Sequence, residues 1–125
     1  MADLDPSVAD EQYCYLTTTG RVSGEPREIE IWFGLVDATL YLLSGGRDRS
    51  DWVKNLIASP RVSVRIGERT LVGTARIVED SDEDGLARTL LLEKYSAGYS
   101  GELSGWGRDA LPVAVDLEAV SSSIS

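Results

Sequence analysis

The sequence contains no histidine and only one cysteine, Cys14. Without imidazole there is no Ser-His-Asp triad, no Cys-His nucleophile pair and no histidine-based metal site. A lone cysteine excludes an intrachain disulfide. Its neighbours Tyr13, Tyr15 and Leu16 suggest a strand, where a thiol packs as a small hydrophobe. Long apolar runs are missing as well, so no membrane span is expected. The opening MADLDPSVADEQ lacks the basic and apolar regions of a signal peptide, which predicts a cytoplasmic protein. Positive charge is scarce: 12 Lys and Arg face 21 Asp and Glu, a net charge of -9. That balance argues against a nucleic-acid partner, because such binding depends on counterion release by clustered cations.

The cations that are present gather. Arg21, Arg27, Arg47, Arg49 and Lys54 fall close together, whereas Glu79, Asp80, Asp82, Glu83 and Asp84 cluster elsewhere. A local arginine group in an acidic chain suits an anionic small molecule; charge scatter on a soluble surface is the alternative. The pair Glu28 and Glu30 shares one strand face, as does a glycosidase dyad, but reads better as solvated surface acids.

A chain of 125 residues makes about one domain, here 1–125 with loose ends at 1–11 and 119–125. Strands are expected over 13–19, 27–35, 39–44, 62–66, 70–79 and 111–117, from β-rich composition and period-two alternation. In the second, Ile29, Ile31, Phe33 and Leu35 alternate with Glu28, Glu30 and Trp32. Asp37-Ala38 reads as a hairpin turn. Gly73 marks a bulge or the close approach of another backbone. Two helices are expected. The first is capped by Ser50, presents Trp52, Val53, Leu56 and Ile57 as its apolar face, and ends at Pro60. The second opens on a Ser81/Asp84 capping box and buries Leu86, Ala87, Leu90, Leu91 and Tyr95. Six or so antiparallel strands with two helices fit a small barrel, since closure removes exposed edges.

The stretch YLLSGGRDRSDWVKNLIASP reads as strand, glycine turn and helix. A glycine turn feeding a helix N-terminus offers free N–H groups to an anion. Ser44, Gly45 and Gly46, flanked by Arg47 and Arg49, are therefore candidate ligand contacts. A capped turn with solvated arginines is the plainer alternative.

Taken in order, TTGR-x-SG-x-PR, LLSGG and W-x-x-NL-x-x-x-P-R-V form a fairly specific set. The chain resembles the deazaflavin-dependent nitroreductase family, relatives of the FMN-binding split β-barrels of the pyridoxamine phosphate oxidase type. The likeness is good over residues 15–66 and weaker to 117. It implies a split barrel, a homodimer, and use of the deazaflavin coenzyme F-420 to reduce a small conjugated carbonyl, quinone or nitro compound. It also implies that Arg21, Ser23, Gly24, Arg27, Ser44, Gly45, Gly46, Trp52 and Asn55 hold the cofactor. Tyr95 and Tyr99 are the candidate proton donors, with Ser104 a weaker one, and Trp32 and Trp106 are candidate substrate walls. Core packing is the alternative for Tyr95. FMN as cofactor, or a non-catalytic flavin-like or tetrapyrrole binder, remains open; Glu28 and Glu30 favour these if they point into the groove.

Overall fold

The computed structural model describes residues 11–96 and 110–118. Its strands are β1 (Cys14–Thr19), β2 (Pro26–Ile31), β3 (Gly34–Val36), β4 (Thr39–Ser44), β5 (Arg61–Ile66), β6 (Arg69–Ile77) and β7 (Leu111–Leu117). Helix α1 spans Asp51–Ala58 and α2 spans Ser81–Ser96. The strands form one sheet in the order β2-β1-β5-β6-β7-β4-β3, and every neighbouring pair is antiparallel. The two edge strands, β2 and β3, are consecutive in the chain and separated only by Trp32 and Phe33. A sheet whose first and last strands lie two residues apart must curl until its edges meet. The result is a mainly β half-barrel with its split at Trp32–Phe33.

The split explains why there are seven strands rather than six. Alternation alone predicts one strand across 27–35. The ring hydroxyl of Tyr95, however, accepts the Phe33 N–H at 2.9 Å. Lys94 Nζ donates to the Phe33 carbonyl at 2.9 Å and sits 3.6 Å from the centre of the Phe33 ring. Both side chains come from α2, and they take the place of a ladder partner at Phe33.

The barrel interior is filled by Leu16, Phe33, Leu40, Leu42, Val64, Val113 and Val115, all fully buried. Helix α1 closes one end with Val53 and Leu56; Ile57, expected on the apolar face, is exposed. Helix α2 covers the outer face with Ala87, Leu91 and Tyr95 against Tyr41, Leu43 and Ala114, while Leu86 lies in solvent. Gly73 lies where a Cβ would come within 2.7 Å of the Asp116 carbonyl, so the β6–β7 pairing requires its missing side chain.

Two caps differ from expectation. The Ser50 side chain makes no cap bond and instead meets Ser44 Oγ at 2.9 Å. The N-cap of α2 is Asp80, whose Oδ2 accepts the Glu83 N–H at 2.9 Å, one residue before the expected Ser81. Among the described residues, no helix is long and apolar enough to cross a membrane.

Candidate functional site

A cleft of about 440 Å³ opens between the β1–β2 turn and the first turns of α1. The turn contributes Gly20, Arg21, Val22 and Ser23; the strands contribute Thr18, Arg27 and Ile29; the helix contributes Asp51, Trp52 and Asn55. The turn is tight: Gly24 N–H donates to the Gly20 carbonyl and Gly20 N–H to the Glu25 carbonyl, both at 2.8 Å. Gly24 closes it at φ 75°, a backbone state that glycine adopts readily. Ser23 Oγ accepts the Glu25 N–H at 3.2 Å, which leaves its hydroxyl proton available.

One buried amide fixes the cleft's geometry. Asn55 is 5% exposed, and its Oδ1 accepts both the Arg21 N–H at 3.2 Å and Arg21 Nη1 at 2.8 Å. Its Nδ2 donates to Thr18 Oγ1 at 3.3 Å. Asn55 thus ties turn, strand and helix together and aims the Arg21 guanidinium across the first turn of α1. Arg21 Nη2 also lies 3.3 Å from Asp51 Oδ1. The Arg27 side chain is exposed and has no hydrogen bond or ion pair among the described residues. Trp52, half buried against the core, supplies a flat apolar wall.

The alternation of β2 decides where its acids point. Arg27 and Ile29 line the cleft; Glu28 and Glu30 have the opposite parity. Glu30 accepts the Tyr15 hydroxyl at 2.6 Å on the outer face. The condition under which these glutamates would argue for another ligand is therefore not met.

Of the residues expected to hold a ligand, the structure brings together Arg21, Ser23, Arg27, Trp52 and Asn55. Gly24 belongs to the same turn but borders a smaller hollow of about 270 Å³ on the other side of β1, with Thr17, Thr19 and Arg61. Ser44, Gly45, Gly46, Arg47 and Arg49 do not line the cleft. Ser44 is buried, and its hydroxyl donates to the Arg47 carbonyl at 2.9 Å, leaving Ser50 to donate to Ser44. The Arg49 N–H closes a 3-10 turn on the Gly46 carbonyl at 3.0 Å. Gly46 has an ordinary φ of -84°; its role is steric, since a Cβ there would meet Ser50 Oγ at 2.5 Å. The glycine turn thus stands apart from this cleft as the approach to α1, with the Ser44 and Ser50 side chains bonded to each other.

Tyr95 also lies away from the cleft. It is 5% exposed and stacks on Trp32, with ring centroids 4.2 Å apart and planes within 3°. Its hydroxyl accepts from Phe33 and lies within 3.0 Å of the Phe33 and Gln12 carbonyls, to one of which it donates. Burial, first, pushes its pKa up to about 12. The donor role expected of it meets a hydroxyl committed to backbone, and Trp32 is its packing partner. Burial likewise raises the Cys14 thiol to about 12, far from a reactive thiolate. Tyr99, Ser104 and Trp106 lie outside the described residues.

Sequence reasoning passed over Thr18, Ile29 and Asp51 as cleft residues. A signal for Asp51 was present: Asp51 and Asn55 stand four apart and so share a helix face.

The model of the F420H(2)-dependent quinone reductase family matches residues 7–118. The chain belongs to that family. It is an oxidoreductase, and its cofactor is coenzyme F-420. Among solved structures, an F420-H2 dependent reductase (FDR-A) is 27% identical, with 83% of this chain and 93% of that one covered and a TM-score of 0.66. A protein described as a domain-swapped dimer is 25% identical over 92% of this chain and 82% of its own, with a TM-score of 0.67. A pyridoxamine 5'-phosphate oxidase-like protein from Listeria innocua shares the fold at 17% identity, covering 89% and 87% of the two chains with a TM-score of 0.64. The donor set of the cleft suits this cofactor: two guanidinium groups, a serine hydroxyl and an indole wall match an anionic tail attached to an aromatic ring system.

Proposed function

We propose that this chain catalyses hydride transfer from reduced F-420 to a small conjugated carbonyl, quinone or nitro compound, and that the cleft between the β1–β2 turn and α1 holds the cofactor's anionic tail. The observation that carries the reading is the cleft itself. Arg21, Arg27 and Ser23 converge on it, whereas Glu28 and Glu30 on the same strand face outward.

When bound, the deazaflavin supplies the hydride; the protein supplies binding, orientation and electrostatics. Arg21 and Arg27 would take the tail's phosphate and carboxylate oxygens as forked donors, and Ser23 would add its hydroxyl. Asn55 holds Arg21 in register for that contact. Trp52 excludes water from one wall, which strengthens the ion pairs beside it. An acceptor oxygen that gathers negative charge needs a proton or a hydrogen-bond donor. With the Tyr95 hydroxyl committed to the backbone of Phe33 and Gln12, Tyr99 is the remaining tyrosine proposed for that task, and Trp106 is proposed as a wall of the acceptor pocket. Trp32 and Tyr95 act from the split of the barrel by stacking and bracing it. We further propose a cytoplasmic homodimer; the domain-swapped dimer among the similar structures supports the assembly.

The test is equilibrium titration with oxidised F-420, followed by cofactor fluorescence, on the wild type and Arg27→Ala. The expected result is wild-type binding in the micromolar range and about tenfold weaker binding of the variant. No wild-type binding at tens of micromolar overturns the reading.

A further inference from the structure

Within the cleft one group has the wrong sign for an anionic ligand. The Asp51 side chain is 86% exposed, lines the cleft, and lies 3.3 Å from Arg21 Nη2. The Arg21 side chain is 34% exposed, so the pair stands at the surface, where an ion pair is weak and exchangeable. The other end of the guanidinium is anchored differently. Nη1 donates at 2.8 Å to the buried Asn55, which is itself oriented by Thr18. One edge of the fork is therefore fixed, and the other is held by an exposed carboxylate that a second anion can replace.

We propose that Asp51 is an internal competitor for Arg21, which sets the affinity of the cleft for the anionic tail and speeds release of the spent cofactor. This rests on the reading of the cleft as the tail site. A phosphate or carboxylate approaching Arg21 must displace Asp51 and then tolerate its charge nearby. Both effects weaken binding, and salt screens both. Each turnover consumes one hydride, so a donor that is not re-reduced in place must leave before the next cycle. A moderated affinity favours that exchange. Asp51 also sits in the first turn of α1, where a carboxylate favours the helix dipole. That role alone predicts a loss of stability on neutralisation and no change in binding.

The two roles separate in one experiment. Oxidised F-420 is titrated against wild type, Asp51→Asn, Arg21→Ala and the double variant, at low and high sodium chloride. Thermal melting without cofactor is recorded in parallel. The expected result is that Asp51→Asn binds about three- to tenfold more tightly at low salt. The gain shrinks at high salt and largely disappears when Arg21 is already alanine. If Asp51→Asn melts too early to titrate, Asp51→Ser, a residue tolerated at helix starts, carries the same test. Unchanged affinity on neutralising Asp51, or an equal gain with and without Arg21, overturns the competition while leaving the tail site standing. A wild type that binds no F-420 overturns both.

Discussion

Arg21 and Arg76 are both arginines facing carboxylates, and the contrast between them separates structure from site. Arg76 is saturated. Its Nη1 and Nη2 meet Glu83 at 2.7 and 2.8 Å, and its Nε and Nη2 meet Asp116 at 2.7 and 3.2 Å. The Tyr41 hydroxyl adds a third contact to Glu83 at 2.7 Å. The cluster stitches α2 to β4, β6 and β7 and leaves little donor capacity unused. Arg21 has one firm anchor and one loose, exposed carboxylate at 3.3 Å, and Arg27 beside it has no ion partner among the described residues. A network whose forks are filled from within braces a fold, whereas one with spare N–H groups at a cleft is equipped for a ligand. Charge alone does not distinguish the two; saturation does.

The contrast can be broken most severely at Arg21. Arg21→Ala should weaken F-420 binding by about ten- to a hundredfold, the value of one or two charge-assisted bonds, with a smaller change in kcat than in KM. An unchanged dissociation constant would place the tail elsewhere. Arg76→Ala should do the converse. It should lower unfolding stability by about 1–2 kcal/mol in a denaturant titration, the scale of a partly exposed network, and leave the F-420 dissociation constant alone. A binding defect in that variant would merge the two regions that the structure separates.

Acid should sharpen the distinction further. The Arg76 guanidinium, followed by the Tyr41 hydroxyl, lowers the Glu83 pKa from 4.5 to about 2. A carboxylate depressed in the folded state contributes stability above its unfolded pKa and loses it as pH falls. Wild type should therefore lose stability between about pH 4.5 and 2 more steeply than Glu83→Gln in melting curves. Parallel curves would show that the pair contributes nothing to the pH dependence. The smallest effect is expected at Arg49→Ala, which should leave F-420 affinity within about twofold because Arg49 lies outside the cleft. A larger loss would return the glycine turn to the site.

Much of the fold was legible because it is local. The hairpin at Asp37-Ala38 follows from its turn residues, and the structure pairs Val36 with Thr39 across it with Asp37 at φ 54°. Gly73 could be read as a close approach because little else places a glycine mid-strand. The split at Trp32–Phe33 was not legible, because its cause lies 61 and 62 residues away in Lys94 and Tyr95. The cap of α2 was missed by one residue, since Asp80 and Ser81 are both good caps and only geometry chooses between them. The cleft residues Arg21, Ser23, Arg27, Trp52 and Asn55 were named through the resemblance to the family's motifs, but their meeting is tertiary and no local pattern shows it. Local pattern favoured Gly45-Gly46 as the centre because it cannot see the tertiary meeting of the β1–β2 turn with α1 that makes the cleft.

The most direct test of the cleft is amide chemical-shift mapping of the isotopically labelled protein as F-420 is added. The account expects the largest shifts at residues 20–24 and 51–55, with residues 44–49 and the Arg76–Glu83 cluster nearly still. Shifts concentrated at 44–49, or absent from the β1–β2 turn, would contradict it.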